Sequence, residues 1–221
     1  MARILGIETS TAAGSLALIE DGRPVREAEI DTRLNHSARL LPALDELLGR
    51  AGWSGGDLDA VAAGLGPGSF TGIRVGLAAG QGLALGWSIP LVGIGGLPAL
   101  VRGSAFESGT VVPLLDGGRG RIYGGRYRKN GSRVEELVPP RVVGEGELED
   151  LVRGAGVVTP DGPRLRPRLE ALGVRDWEES FPRAFWIAVL AGESLETDSA
   201  DRLHTAEPIY LSEYSYRGKG K

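Results

Sequence analysis

The sequence predicts an α/β protein made of two units of one kind, each with three antiparallel strands followed by helix, strand and helix. Three observations carry that expectation. Short apolar-rich runs, bounded by small and polar residues, open both halves of the chain. Asp21-Gly22 in the first half, and Gly117-Gly118 and Asn130-Gly131 in the second, offer the positive φ that tight hairpin turns need. Helical patterns then follow each set of strands.

In chain order, residues 3–8, 15–20 and 24–30 read as the first three strands, with Pro24 at a strand start, where a missing N–H does little harm. Leu40, Leu41, Leu44, Leu47, Leu48 and Ala51 form one helical stripe. Asn35 or Ser37 is its expected cap, Pro42 is expected near its first turn or as a kink, and Gly52 is its expected stop. Residues 59–64 read as a strand, 71–86 as a helix after a glycine-rich turn, 89–94 as a strand and 95–102 as a short helix. In the second half, 111–116, 121–128 and 133–138 read as strands, 145–153 as a helix, 156–159 as a strand and 185–193 as a helix. Residues 160–183, rich in Pro and Arg, show no assignable element, and the tail 217–221 is expected to be disordered. Two βββαβα units match the actin-like (ASKHA, RNase H-like) architecture. The expected subdomains are 1–104 and 105–221, with a C-terminal segment that could cross back onto the first. Such a fold by itself says little about chemistry.

Composition narrows the function classes. The 221 residues, 42% hydrophobic and 24% charged, suit a soluble globular protein with a real core. Cysteine is absent, which removes disulfides, thiolate nucleophiles and cysteine metal sites and suits a reducing cytosol. The apolar run at the N-terminus is too short for a signal-peptide core, and no stretch approaches the roughly 18 apolar residues of a membrane span. A cytoplasmic location without membrane contact is therefore expected. The net charge of −4 argues against a chain that grips RNA unaided.

Four features could carry function. Glu8-Thr9-Ser10 ends the first strand with a carboxylate and small hydroxyl residues, which reads either as a polar turn or as a phosphate-facing loop. The turn Gly64-Leu65-Gly66-Pro67-Gly68-Ser69-Phe70-Thr71 leads into a helix N-terminus whose N–H groups could cradle an anion, though no Lys-Ser/Thr pair makes it a P-loop. Glu8, Thr9, Ser10, Gly66, Gly68, Ser69 and Thr71 are therefore a weak candidate phosphate site, with a plain capped turn as the alternative. In the following helix, Gly72, Gly76, Gly80 and Ala84 recur every four residues, and Gly82 adds another glycine. Each interior glycine costs about 1 kcal/mol relative to alanine, so this face must gain from close approach of another backbone. That backbone belongs either to this domain or to a second protein. Lastly, Arg119, Arg121, Arg126, Arg128, Lys129 and Arg133, interleaved with Tyr123 and Tyr127, read as a solvated strand face or as a surface for RNA. Metal chemistry is poorly supplied, because the only histidines are His36 and His204 and Leu40 stands one helical turn after the first.

Several of these segments together resemble the TsaB subfamily of the TsaD family. They are Ile4-Leu5-Gly6-Ile7-Glu8-Thr9-Ser10-Thr11, His36-Ser37 with Leu40-Leu41-Pro42, Gly66 through Gly72 continuing to Ala84, and Glu207-Pro208-Ile209-Tyr210-Leu211. The resemblance covers nearly all of the first hundred residues and scattered points beyond. Ser212 departs from it, since the subfamily often has arginine there. It implies an actin-like fold and a non-catalytic partner of TsaD, the subunit that transfers threonylcarbamoyl to an adenosine beside the tRNA anticodon (the t6A modification). It further implies a heterodimer through the first two helices, a third protein in the ATPase TsaE, and tRNA reached through the complex. TsaD-like proteins carry a paired-histidine metal site, and Leu40 replaces the second histidine. The interface implied is His36, Leu40, Leu41, Leu44, Leu48, Gly72, Ile73, Gly76, Ala79, Gly80 and Leu83, with the glycine face turned outward. No catalytic residue, metal ligand or cofactor is expected in the isolated chain. A nucleotide is expected only at the complex interface, and a homodimer when the chain is alone. The alternatives are an actin-like enzyme (a metallopeptidase or small kinase) and a purely homomeric interaction protein.

Overall fold

The computed structural model describes residues 1–31, 36–197 and 206–211, without the side chains of residues 31, 36–38, 145 and 197. Alternating and continuous apolar runs form β1 (Arg3–Glu8), β2 (Ala13–Glu20) and β3 (Arg23–Asp31). The β2–β3 hairpin turns on Asp21 and Gly22, at φ 49° and 74°, the left-handed pair that a twisted two-residue hairpin requires. Then come α1 (His36–Ala51), a 3₁₀ turn (Gly55–Asp57), β4 (Ala60–Gly64), α2 (Phe70–Trp87), β5 (Leu91–Ile94) and α3 (Gly96–Gly103). The second unit repeats the order with β6 (Ser108–Gly118), β7 (Arg121–Asn130), β8 (Arg133–Val143), α4 (Glu145–Val152), β9 (Gly156–Thr159), α5 (Gly162–Ala171), β10 (Trp177–Glu179) and α6 (Ala184–Thr197).

The two sheets have the same topology. The first runs β3-β2-β1-β4-β5, and the second, read from the same edge, runs β8-β7-β6-β9-β10. In each, the first two hairpins are antiparallel and the last two pairings are parallel, for example Ile4 opposite Ile19 on one side and Ala60 on the other. The chain thus has the actin-like α/β fold expected of two βββαβα units.

Successive strand residues point to opposite faces, so each sheet needs two covers. On one face of the first sheet, Leu5, Ile7, Leu16 and Leu18 pack with Leu40, Leu44 and Leu47 of α1 and Leu77 and Ala84 of α2. On the other, Ile4, Ile19, Ala60 and Ala62 pack with Ile187, Ala188 and Ala191 of α6. The second sheet is covered by α4 and α5 on one face and by Leu97, Leu100 and Val101 of α3 on the other. Each unit therefore lends its last helix to the other unit's sheet, and α3 and α6 touch each other between them.

Three expectations need correction. Residues 160–183 hold α5 and β10, and β10 pairs in parallel with β9 through Trp177, Glu178 and Glu179. Leu165 and Leu169 anchor α5 in the core despite its charged surroundings, so tertiary burial overrides a weak local pattern. The β6–β7 turn lies at Arg119-Gly120, at φ 56° and 80°, while Gly117 and Gly118 belong to β6. Pro42 lies inside α1, beyond the first turn that begins at His36. The tail 217–221, the candidate cap Asn35 and His204 lie outside the described residues.

Candidate functional site

The end of β1 and the turn before α2 are bound to each other. Ser69 caps α2, its Oγ accepting from the Gly72 N–H at 3.2 Å, while its own N–H donates to the Ser10 carbonyl at 2.7 Å. Thr9 Oγ1 donates to the Gly72 carbonyl at 2.7 Å, and the Gly96 N–H donates to Gly66 at 2.7 Å. A side chain on Gly68 would strike the Ser10 carbonyl, and one on Gly72 the Thr9 carbonyl. These glycines serve close approach of two backbone segments within the chain. Of the candidate phosphate residues, Glu8, Thr9 and Ser10 are buried, Gly66 is buried, and Ser10, Gly68 and Ser69 reach the wall of a cleft. Thr71 faces away, into a groove between α1 and α2. The candidate phosphate set is therefore split, and the turn's Ser69 and Gly72 N–H groups are engaged internally.

Glu8 is fully buried. One carboxylate oxygen accepts from the Ser10 N–H, and the other, Oε2, has no hydrogen-bond partner among the described residues and lies against Gly64. Burial pushes its pKa above the usual carboxylate range, against the pull of the hydrogen bonds from Ser10 and Thr9.

The cleft, about 1010 Å³, lies between the two units. Asp116 and Arg164 face each other across its second wall at 2.7 Å, and Asp161 accepts from the Asp116 N–H at 2.8 Å. Asp116 sits below its ordinary pKa because hydrogen bonds from Arg164 and Gly118 outweigh its burial, whereas burial raises Asp161. The wall is thus largely self-paired.

The glycine helix answers the question left open by its sequence. Gly72, Ile73, Gly76 and Gly80 are buried, and a side chain on Gly76 would strike Thr9 Oγ1 while one on Gly80 would come within 3.1 Å of Leu91. This face packs on the chain's own sheet, so the expectation that it faces a second protein is corrected. Leu40, Leu44 and Leu48 likewise belong to the core beneath α1. His36 opens α1, but its side chain is outside the description. Leu41, Ala79 and Leu83 of the expected interface remain at least partly accessible.

The opposite face of α2 carries what sequence reasoning missed. A side chain on Gly82 or Gly86 would meet nothing within 4 Å among the described residues. Ala78, Gly82 and Gly86 thus form a second four-residue series, turned to solvent. Leu85 beside it is 83% exposed and Leu41 of α1 53% exposed. Between the helices lies an apolar groove of about 600 Å³, lined by Leu41, Phe70, Arg74, Val75, Ala78 and Ala79 among others. The repeat at 78, 82 and 86 was visible in the sequence, but nothing there distinguished it from the inward series.

The basic stretch is dispersed by the β alternation. Tyr127 and Lys129 are buried, and Lys129 Nζ donates to the Arg102 and Ser104 carbonyls at the end of α3. Arg126 caps α4 through the Leu151 and Arg153 carbonyls, and Arg128 pairs with Glu135. Only part of the stretch is a solvated face, and no continuous basic strand pair forms among the described residues. Among those residues no cluster of His, Cys, Asp or Glu could hold a metal, and no helix is long and apolar enough to cross a membrane.

Comparison with known proteins places these features in context. The family profile described as TsaD, tRNA N6-adenosine threonylcarbamoyltransferase, matches residues 30–184. The tRNA threonylcarbamoyladenosine biosynthesis protein TsaB of Escherichia coli K12 is 33% identical over 220 residues, covering 95% of this chain and 94% of that protein. A tRNA N6-adenosine threonylcarbamoyltransferase of Nitratidesulfovibrio vulgaris is 33% identical over 82% of this chain, but the match spans only 54% of the transferase. Among solved structures, YeaZ from Pseudomonas aeruginosa superposes with a TM-score of 0.81 at 26% identity, covering 96% of this chain and 100% of the other.

Proposed function

Because this chain belongs to the TsaB branch of the TsaD family, whose members serve tRNA threonylcarbamoyladenosine biosynthesis, we propose that it acts there as a non-catalytic partner that docks the threonylcarbamoyltransferase on the outward face of α1 and α2. The observation that carries this reading is the pair Gly82 and Gly86. Each weakens the helix by roughly 1 kcal/mol, and no neighbour among the described residues uses the space. A helix of another subunit lying along Ala78, Gly82 and Gly86, with Leu41 and Leu85 at its flanks, would use that space. The groove between the helices extends the apolar surface that such a partner would cover.

The non-catalytic part rests on residue types. A paired-histidine metal site on α1 would need a ligand where Leu40 stands, and Leu40 is 1% exposed and committed to the core. The chain also matches only about half of the transferase's length. The ATPase TsaE would join the assembly, tRNA would be reached through it, and any nucleotide would be held at the complex interface in the cytoplasm. Without the transferase, a second copy would cover the same face in a two-fold pair.

Gly82→Leu tests this reading. It is expected to fold and melt at or above the wild-type temperature while losing the transferase in co-purification and its own pairing in gel filtration. A Gly82→Leu chain that binds and pairs like wild type would overturn it.

A further inference from the structure

Residues 206–211, which hold the Glu-Pro-Ile-Tyr-Leu motif, form a strap that no role above uses. Ala206 lies against Gly93 of β5, the Ile209 N–H donates to the Leu65 carbonyl at 2.9 Å, and Leu211 packs against the core between α3 and the second sheet. The strap therefore runs from one unit to the other along the turn that precedes α2. Tyr210 is its contact with α2. Its hydroxyl accepts from Arg74 Nε at 2.7 Å, and its ring lies 5.3 Å from that of Phe70. The Arg74 guanidinium sits 3.8 Å over the Phe70 ring and 5.6 Å from the Tyr210 ring. Arg74 and Phe70 form part of the wall of the α1–α2 groove and also of the cleft between the units, so they are the partition between the two.

We propose that the strap is a third element of the docking surface for the transferase, coupled to the α1–α2 groove through Arg74. This rests on the docking reading above. Tyr210, 45% exposed, stands on the cleft side of the Phe70–Arg74 partition, next to the groove's rim. With the strap seated, Arg74 is held at the groove's rim by a hydrogen bond and stacked on a ring. Without it, Arg74 loses that bond, and the Phe70 wall loses its backing. A seated strap therefore presents the groove in one shape. Linkage is reciprocal: by whatever factor the seated strap tightens docking, docking holds the strap in place.

Hydrogen exchange of the full chain, alone and saturated with the transferase subunit of the same cell, tests the coupling together with the affinities of Tyr210→Phe and Arg74→Ala. Docking is expected to slow exchange at Ile209 as well as in α1 and α2. Tyr210→Phe, which removes only the hydroxyl, is expected to weaken docking by about three- to ten-fold, the share of one hydrogen bond, and Arg74→Ala by more. In both variants exchange at Ile209 should be faster in the chain alone. Protection of α1 and α2 with Ile209 unchanged, or Tyr210→Phe docking as wild type, overturns the coupling and leaves the docking reading intact. A wild-type chain that does not bind the transferase at all overturns both.

Discussion

Thr9 and Gly76 meet so closely that one added carbon would displace the threonine hydroxyl from its bond to the Gly72 carbonyl. Gly76→Ala should therefore destabilise the protein by about 1–3 kcal/mol, although alanine is the better helix former. In a Thr9→Ala background the same change should cost clearly less, and urea melts of the four chains measure that coupling. Glu8 makes a second residue-scale test. Its pKa is raised in the folded state, so folded protein holds the proton more tightly than unfolded protein. The stability it confers is complete below the ordinary carboxylate range and is lost as pH rises through the folded pKa. Glu8→Gln should match wild type in acid and become the more stable chain as pH rises, as read from melting temperature against pH. A constant gap across pH would mean that Glu8 does not change charge. The sequence marked both Glu8 and the glycines, since a carboxylate at a strand end and glycine in a helix are each costly choices. It did not contain the burial of Glu8 Oε2 without a partner among the described residues, which depends on Gly64 and Ser10 closing over it.

At the scale of the element, α2 is a helix with two small-residue faces. One is inward at Gly72, Gly76, Gly80 and Ala84, and the other is outward at Ala78, Gly82 and Gly86. The inward glycines are required by the sheet, so filling them costs stability. The outward ones have no neighbour among the described residues, so filling them should stabilise the isolated protein. Gly82→Ala and Gly86→Ala are each expected to add about 0.5–1 kcal/mol in chemical denaturation of the chain alone. A loss of stability would mean that this face is packed within the fold after all. Both faces share the period of four, and that period was legible. Direction was not, because a glycine has no side chain whose polarity could mark it. The leucines of α1 behaved differently. Leu40, Leu44 and Leu47 are buried while Leu41 is exposed, although all four sit on one apparent stripe. A stripe wide enough to serve both a core and a partner looks the same on a helical projection as one that serves a core alone.

Over the whole molecule, the exchange of α3 and α6 ties the two sheets together, so they are expected to melt as one body. α6 enters through a cap supplied from the other unit, the Ala184 N–H donating to Ser15 Oγ of β2 at 2.9 Å, and its first residue lies where Gly6 leaves no room for a side chain. Ser15→Ala should cost about 1 kcal/mol, as loss of a helix cap does elsewhere, even though donor and acceptor are 169 residues apart. A chain ending at Arg183 should lose far more. Without Ile187, Ala188 and Ala191, the face of Ile4, Ile19, Ala60 and Ala62 is bare, and the first unit should lose its cooperative melt together with the second. A sharp transition in that truncated chain would show that the halves fold independently. The sequence by itself determined the strand and helix order of the first unit, the three-strand opening of the second and the family, because periodicity, turn residues and short motifs are local properties of the chain. Only the tertiary structure decided which face of α2 looks outward, that α5 and β10 form in a stretch without a clear pattern, and that the last helix of each unit belongs to the other's sheet. Each of these depends on which surface a remote segment covers, and burial between residues far apart in sequence leaves no periodic trace in either of them.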